Sequence, residues 1–298
     1  MTTMSAALDD SLEMPPRSST LRRFLGVFFS RKVVVFGAGI MFLLIVVASL
    51  AEFISPYDPY AQNLRESLQQ PSAAHWLGTD PLGRDILSRI IYGTRTSLAV
   101  GLVSVGIAAL IGMSLGLLAG YFGGLLDTLI MRFVDALLAI PGLMLALALG
   151  VALGGGLTNV MISLGISLIP TYARLMRGQV LTVKQADYIT ASDAIGASDL
   201  RIMLVHVFPN CLSPLIVLIT MNLGLAILSE AALSFLGLGI KPPGAAWGAM
   251  VNDGYRYLST NPLLSFAPGF CVMLVVLAFN FVGDGLRDAL DPRLRGTL

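Results

Sequence analysis

Charge is what this sequence has least of. Only 12% of its 298 residues are Asp, Glu, Lys or Arg, against roughly 25% in a soluble globular domain. With 55% hydrophobic residues and a mean hydropathy of +0.80, the chain cannot clothe itself in a surface that water accepts. A free soluble enzyme is excluded, and an integral membrane protein remains. The net charge of +1 offers no electrostatic footprint for nucleic acid. Cysteine and histidine are as scarce, at two each. Cys211 and Cys271 sit in apolar runs and read as small buried hydrophobes rather than a disulfide. His75 and His206 are too few and too far apart for a metal site. No GxxxxGK[ST] occurs: Lys32, Lys184 and Lys241 are followed by Val, Gln and Pro, so there is no P-loop for ATP. HExxH and GxSxG are missing too, leaving no catalytic constellation. Energised work must therefore draw on an ion gradient or on a partner.

What the chain does have is long apolar runs. A bilayer core of roughly 30 Å takes about 20 helical residues. Six stretches qualify: 33–54, 98–120, 129–153, 160–180, 212–236 and 264–282. The expected fold is an all-α integral membrane protein of six transmembrane helices. An even number returns both termini to one side. Of the 19 basic residues, only Arg65, Arg84, Arg89, Arg95, Lys241 and Arg256 fall outside if the N-terminus is inside, so the positive-inside rule places both termini in the cytosol. Ser49-Leu50-Ala51 resembles a signal-peptide cleavage site, but the polar lead and apolar run are too long, and an uncleaved anchor is expected. The organisation is a cytosolic tail (1–32) with a short amphipathic helix near its end, a first span with its outer loop (33–97), a core of spans two to six (98–282), and a cytosolic tail (283–298).

Ser104, Ala108, Gly112, Gly116 and Gly120 recur every four residues, a ridge of small side chains that lets another helix approach closely, in this chain or another. Pro141 and Pro170 lie inside spans three and four. Each frees a carbonyl four residues earlier, on Leu137 and Ile166, and predicts a kink that is either static or a hinge. Arg132 and Asp135 are three apart and predict an ion pair along one helix. Glu230, late in span five, has no local partner, so it lines a path or packs and caps.

In the first outer loop, Thr79 or Asp80 as cap, Pro81 at the first helical position and the face Ile86, Leu87, Ile90 and Ile91 predict an amphipathic helix on the outer surface, with an Asp85–Arg89 pair; a substrate-grasping element is the alternative. The second outer loop, 241–262, carries Trp247, Tyr255 and Tyr257 as interface aromatics. It is either a packed cover or a docking surface.

Between spans four and five lies a polar insert, about 181–211, containing "ADYITASDAIGASDLRIMLVHVFPN". It reads as two short helices broken at Gly196 and stopping at Pro209. Ser198 is the expected cap, Asp199 suits the first turn, and Leu200, Met203, Leu204 and Val207 form one stripe. Tyr188, Ile189, Ala191 and Ser192 offer a surface that another protein could fit. Resting on the inner membrane face is the alternative.

"TASDAIG" followed by "HVFP" resembles the EAA loop of binding-protein-dependent ABC importer permeases, E-A-A-x3-G-x9-I-x-L-P. Ala191, Gly196 and Pro209 match; Thr190, Ser192, His206 and Phe208 depart. Together with "LGTDPLGRDILSRIIYG", "YFGGLLDTLIMRFVDALLAIP", "LSFLGLGIKPPGAAWGAMV" and "FNFVGDGLRDALDP", it is similar to the C-type permease of dipeptide, oligopeptide and nickel importers, from about Arg22 to Arg295. The resemblance implies a heterodimer with a homologous B-type permease in a bacterial cytoplasmic membrane, and an extracytoplasmic binding protein. Two cytosolic P-loop ATPases would hold ATP and Mg, with no cofactor in this chain. It also implies coupling helices formed by Tyr188, Thr190, Ala191, Ser192, Gly196, Ala197, Leu200, Met203 and Pro209. Cargo in that family includes peptides, glutathione, opines and nickel; short peptides are expected. An ion-coupled carrier working through Glu230 is the rival, although no inverted repeat accompanies it.

Overall fold

Backbone polar groups in lipid must be paired within the chain, and helices do this locally. The computed structural model describes residues 20–240 and 243–290, and its regular elements are all helical apart from an isolated Thr79–Asp85 bridge. Residues 1–19 and 291–298, including Arg17, Arg293 and Arg295, and Lys241 in the second outer loop, lie outside the described residues.

In chain order the helices are α1 (Thr20–Phe28), α2 (Lys32–Ile54), α3 (Ile86–Phe122), α4 (Gly124–Leu138), α5 (Gly142–Ala152), α6 (Leu157–Val183), α7 (Asp187–Ala194), α8 (Asp199–Phe235), α9 (Trp247–Tyr255) and α10 (Leu263–Leu290). Four of them, α2, α3, α8 and α10, are long and apolar enough to cross a membrane, and the bent pair α4–α5 makes a fifth if it is one span. Helix α6 is long enough at 27 residues, but Asn159, Thr171, Arg174 and Arg177 dilute its apolar run.

The small-residue ridge finds its partner inside the chain. Helices α3 and α6 run parallel. Ser104 Oγ donates to the Met161 carbonyl at 3.0 Å, and a Cβ on Gly112 would stand 2.6 Å from the Ile169 carbonyl oxygen. Gly116 lies against Ala173 and Met176, and Gly120 against Val180. Helix α8 returns antiparallel, with Ile227 beside Gly101 and Asn222 Nδ2 donating to Tyr172 Oη at 3.1 Å. Glycines again seat α10 against its neighbours: Gly224 meets Val276, while Gly285 meets Val34 of α2. Cys211 and Cys271 are free, the first fully buried.

Several sequence expectations are corrected. Span three is not one kinked helix: α4 and α5 meet at 88°. Pro141 cannot donate to the Leu137 carbonyl, which instead takes the Ile140 N–H at 3.4 Å, and a short turn ends the helix there. Pro170, by contrast, sits buried within a continuous α6. The Arg132–Asp135 pair is absent. Asp135 pairs with Arg174 of α6 at 2.6 Å, and Asp127 takes Arg177 in a two-pronged contact, both arms 2.6 Å. Antiparallel packing of α4 on α6 brings each carboxylate to a guanidinium fork, better than the helix-internal alternative.

The outer helix begins later than its sequence predicts. Gly83 stands at φ +73° with the Asn63 carbonyl where a Cβ would lie, so 80–84 is a turn that only glycine completes. Asp85 caps α3, accepting from the Ser88 N–H at 2.8 Å. Its side chain also meets His75 Nδ1 at 2.9 Å, not Arg89. The helix is not a separate element; it is the first part of the 37-residue α3. Ile86 and Ile90 pack into a core with Trp247 and Met250 of α9. Trp247 is likewise no interface aromatic: it is fully buried, on Gly93, and donates Nε1 to the Ile90 carbonyl at 3.0 Å.

Candidate functional site

The insert between α6 and α8 stands at the end of the bundle where α3 and α6 finish. Helix α7 closes at Gly196, whose φ is +81°. The Gly196 N–H donates to the Asp193 carbonyl at 2.8 Å and the Ala197 N–H to the Ser192 carbonyl at 3.1 Å, the pair of bonds that ends a helix in the Schellman motif. A residue with a Cβ pays a conformational penalty there. Space does not forbid one, since nothing lies within 4 Å of the position.

The chain then re-enters a helix at Asp199. Ser198 holds the cap position with extended backbone, yet its side chain makes no capping bond. Asp199 is used differently, accepting from Tyr121 Oη at 2.8 Å. Lys184 Nζ donates to the Tyr121 carbonyl at 2.6 Å and lies 5.1 Å from the centre of its ring. One tyrosine at the end of α3 thereby ties both edges of the insert. Ile189, buried among Tyr121, Val180, Ile202 and Met203, is the apolar peg.

Pro209 does not stop the helix. The turn before it, Ile202–Val207, widens to a π-helix, with the Phe208 N–H reaching back five residues to the Met203 carbonyl. The wider turn absorbs the donor that Pro209 lacks and gives room for its ring, so α8 continues unbroken to Phe235. The extra residue also splits the expected stripe: Met203 and Val207 are buried, while Leu200 and Leu204 are exposed.

Of the residues singled out by sequence, Tyr188, Thr190, Ala191, Gly196, Leu200 and Pro209 are exposed, Ser192 and Ala197 half-buried, and Met203 buried. Ser192 Oγ is turned onto the Tyr188 carbonyl at 2.7 Å. Ile195, not singled out, is 84% exposed, and with Tyr188, Leu200 and Leu204 gives this end apolar side chains that no described residue covers. Tyr121 and Lys184 were also missed. Tyr121 is 78 residues from its partner Asp199, and no local pattern marks it. Glu230 lies elsewhere, 1% exposed within α8, with Ser234 Oγ donating to its carboxyl one turn away.

The chain and its helical fold have known relatives. Residues 112–296 match the family described as binding-protein-dependent transport system inner membrane component. The chain belongs to this family of permeases. Residues 19–71 match the N-terminal transmembrane domain of oligopeptide transport permease C, which makes this permease a C-type subunit. A glutathione transport system permease protein of Pectobacterium atrosepticum is 44% identical over 297 residues, covering 99% of this chain and 97% of the relative. A dipeptide transport system permease protein of Haemophilus influenzae is 46% identical over 266 residues, covering 86% and 90%. The fold is also that of a chain in inward-facing structures of the MetNI methionine ABC transporter, with a TM-score of 0.56 at 21% identity, covering 69% of the permease and 98% of that chain. The permease is thus the membrane subunit of an ABC importer.

Proposed function

We propose that the permease passes a short peptide or peptide-like solute across a bacterial cytoplasmic membrane, as one of two homologous permeases driven by two cytosolic ATPases. Its relatives' names carry the choice of solute: glutathione and dipeptide. A binding protein on the outer side delivers the solute to the loops between α2 and α3 and between α8 and α10. ATP and Mg belong to the partner subunits in this reading. Six spans, formed by α2, α3, α4–α5, α6, α8 and α10, cross the bilayer with both termini cytosolic. The contact of Arg31 with Asp288 at 3.0 Å, which brings the two terminal ends of the bundle together, supports an even number.

The observation that carries the mechanism is the insert at 187–205. Its outer side chains are apolar and exposed among the described residues, while its root is fixed to α3 by Tyr121 and is continuous with α8. A partner that moves this insert moves α8 as a lever. Import then requires that the solute bind the two resulting arrangements differently. Nothing favours Glu230 as an ion-coupling group, since Ser234 satisfies it locally.

Gly196→Asp tests the reading. It places a charge and a Cβ at an exposed φ +81° position without filling occupied space. Membrane abundance should match wild type and uptake should be abolished; normal uptake at normal abundance would sink the coupling role.

A further inference from the structure

At the opposite end of the bundle, a cavity of about 270 Å³ opens between the turn at 81–84 and the end of α9. Arg84, Asn252, Asp253 and Arg256 line it. The Arg84 side chain is only 3% exposed. Its Nε donates to Asp80 Oδ2 at 2.6 Å, and Asp80 Oδ1 accepts the N–H groups of Leu82 at 2.9 Å and Arg84 at 3.0 Å. The guanidinium is thereby locked by its own turn. Yet Nη1, fully buried, has no acceptor among the described residues. A buried donor left unmade is rare and costly, and it calls for an explanation.

The surrounding charges do not supply one. Asp80 is already shared with Arg89, whose Nε lies 3.6 Å away, while the other Arg89 donors go to the carbonyls of Pro59, Pro243 and Gly244. Asp253 makes no ion pair among the described residues. Desolvation lifts its carboxyl above the ordinary range against the pull of Arg84, Arg89 and Arg256, with Asp80 adding to the rise. Three guanidinium groups thus face two carboxylates, and the cluster is cationic.

We propose that this cavity is a carboxylate-binding site, with the Arg84 guanidinium and Arg256 as its two cations. A guanidinium fork matches a carboxylate in plane. At about 30 Å³ per water molecule, the cavity has room for a carboxyl group and a few adjoining atoms, not for a folded segment. Two carriers present that group: the end of a solute, or an acidic side chain of the protein that delivers it. Only the choice between these carriers rests on the proposed transport function.

The probe is N-acetylglycinate, titrated against the full chain in its assembled transporter in lipid nanodiscs and followed by saturation-transfer NMR. Binding is expected, with none for the neutral N-acetylglycinamide. Arg256→Gln should weaken it about tenfold, the loss of one charge-assisted hydrogen bond, and Asp253→Asn should tighten it by removing an opposing charge. Arg84→Lys keeps the charge but loses the fork and should abolish it. If that variant misfolds, the Arg256 and Asp253 variants, both at exposed residues, carry the test. Equal signals from acid and amide, or no change in either variant, overturn the site. Uptake of a dipeptide against its C-terminal amide then separates the carriers. Loss in Arg256→Gln confined to the free acid assigns the solute. Equal loss for both, restored by excess delivering protein, assigns an acidic side chain of that protein. Probe binding in a permease that moves no peptide refutes the proposed function alone, and peptide uptake without probe binding refutes the site alone.

Discussion

Tyr121 joins three segments with two of its oxygens: its hydroxyl to Asp199 and its carbonyl to Lys184. The first bond is a side-chain bond and can be removed alone. Tyr121→Phe keeps the ring for the Lys184 contact and loses about 1 kcal/mol of anchoring. Solute uptake should fall several-fold at unchanged membrane abundance, while Asp199→Asn, which still offers an oxygen to the hydroxyl, should retain most of it. Wild-type uptake in the Phe variant would show that the insert needs no such tie. His75 and Asp85 form a comparable knot at the other end, where one carboxylate serves a helix N–H, Ser88 Oγ at 2.7 Å and an imidazole. The sequence flagged Asp85 for a different partner, because an i,i+4 rule sees only its own helix.

At the scale of elements, α3 contrasts two uses of glycine. Gly116 lies where a Cβ would press on the Ala173 carbonyl and Met176, whereas Gly106 has nothing within 4 Å. Gly116→Leu should drive α3 from α6 and cost about 1–3 kcal/mol or more, seen as a lower melting temperature of the detergent-solubilised protein. Gly106→Ala should leave that temperature unchanged or raise it, worth up to about 1 kcal/mol of backbone entropy. A Gly116 variant as stable as wild type would mean that the helix pair is looser than the structure has it. The four-residue spacing made this ridge legible in the sequence, although not whether its partner lay in the same chain. The 88° bend at Pro141 was legible only as a kink. A proline removes one bond anywhere, but whether a helix bends, breaks or runs on depends on what packs around it, as the unbroken α6 at Pro170 shows. Pro209 makes the same point, since a π turn carries the helix through it.

For the whole molecule, uncovered apolar surface at the insert and along the bundle calls for lipid and for partners. Gentle solubilisation of tagged chain should recover a second permease and P-loop ATPases by mass spectrometry. Recovery of this chain alone, with transport-competent membranes as the source, would remove the partner-driven mechanism.

The sequence by itself determined the class of protein, the apolar runs, the small-residue ridge and the position of the polar insert. These rest on composition, periodicity and local spacing, which act within a few turns of chain. Only the tertiary structure decided which arginine meets Asp127 and Asp135, why Trp247 is buried, what Tyr121 holds, and that Arg84 keeps an unmet donor beside a cavity. Each of these joins residues far apart in the chain. Their energies depend on geometry that exists only once α3, α6 and α9 have packed.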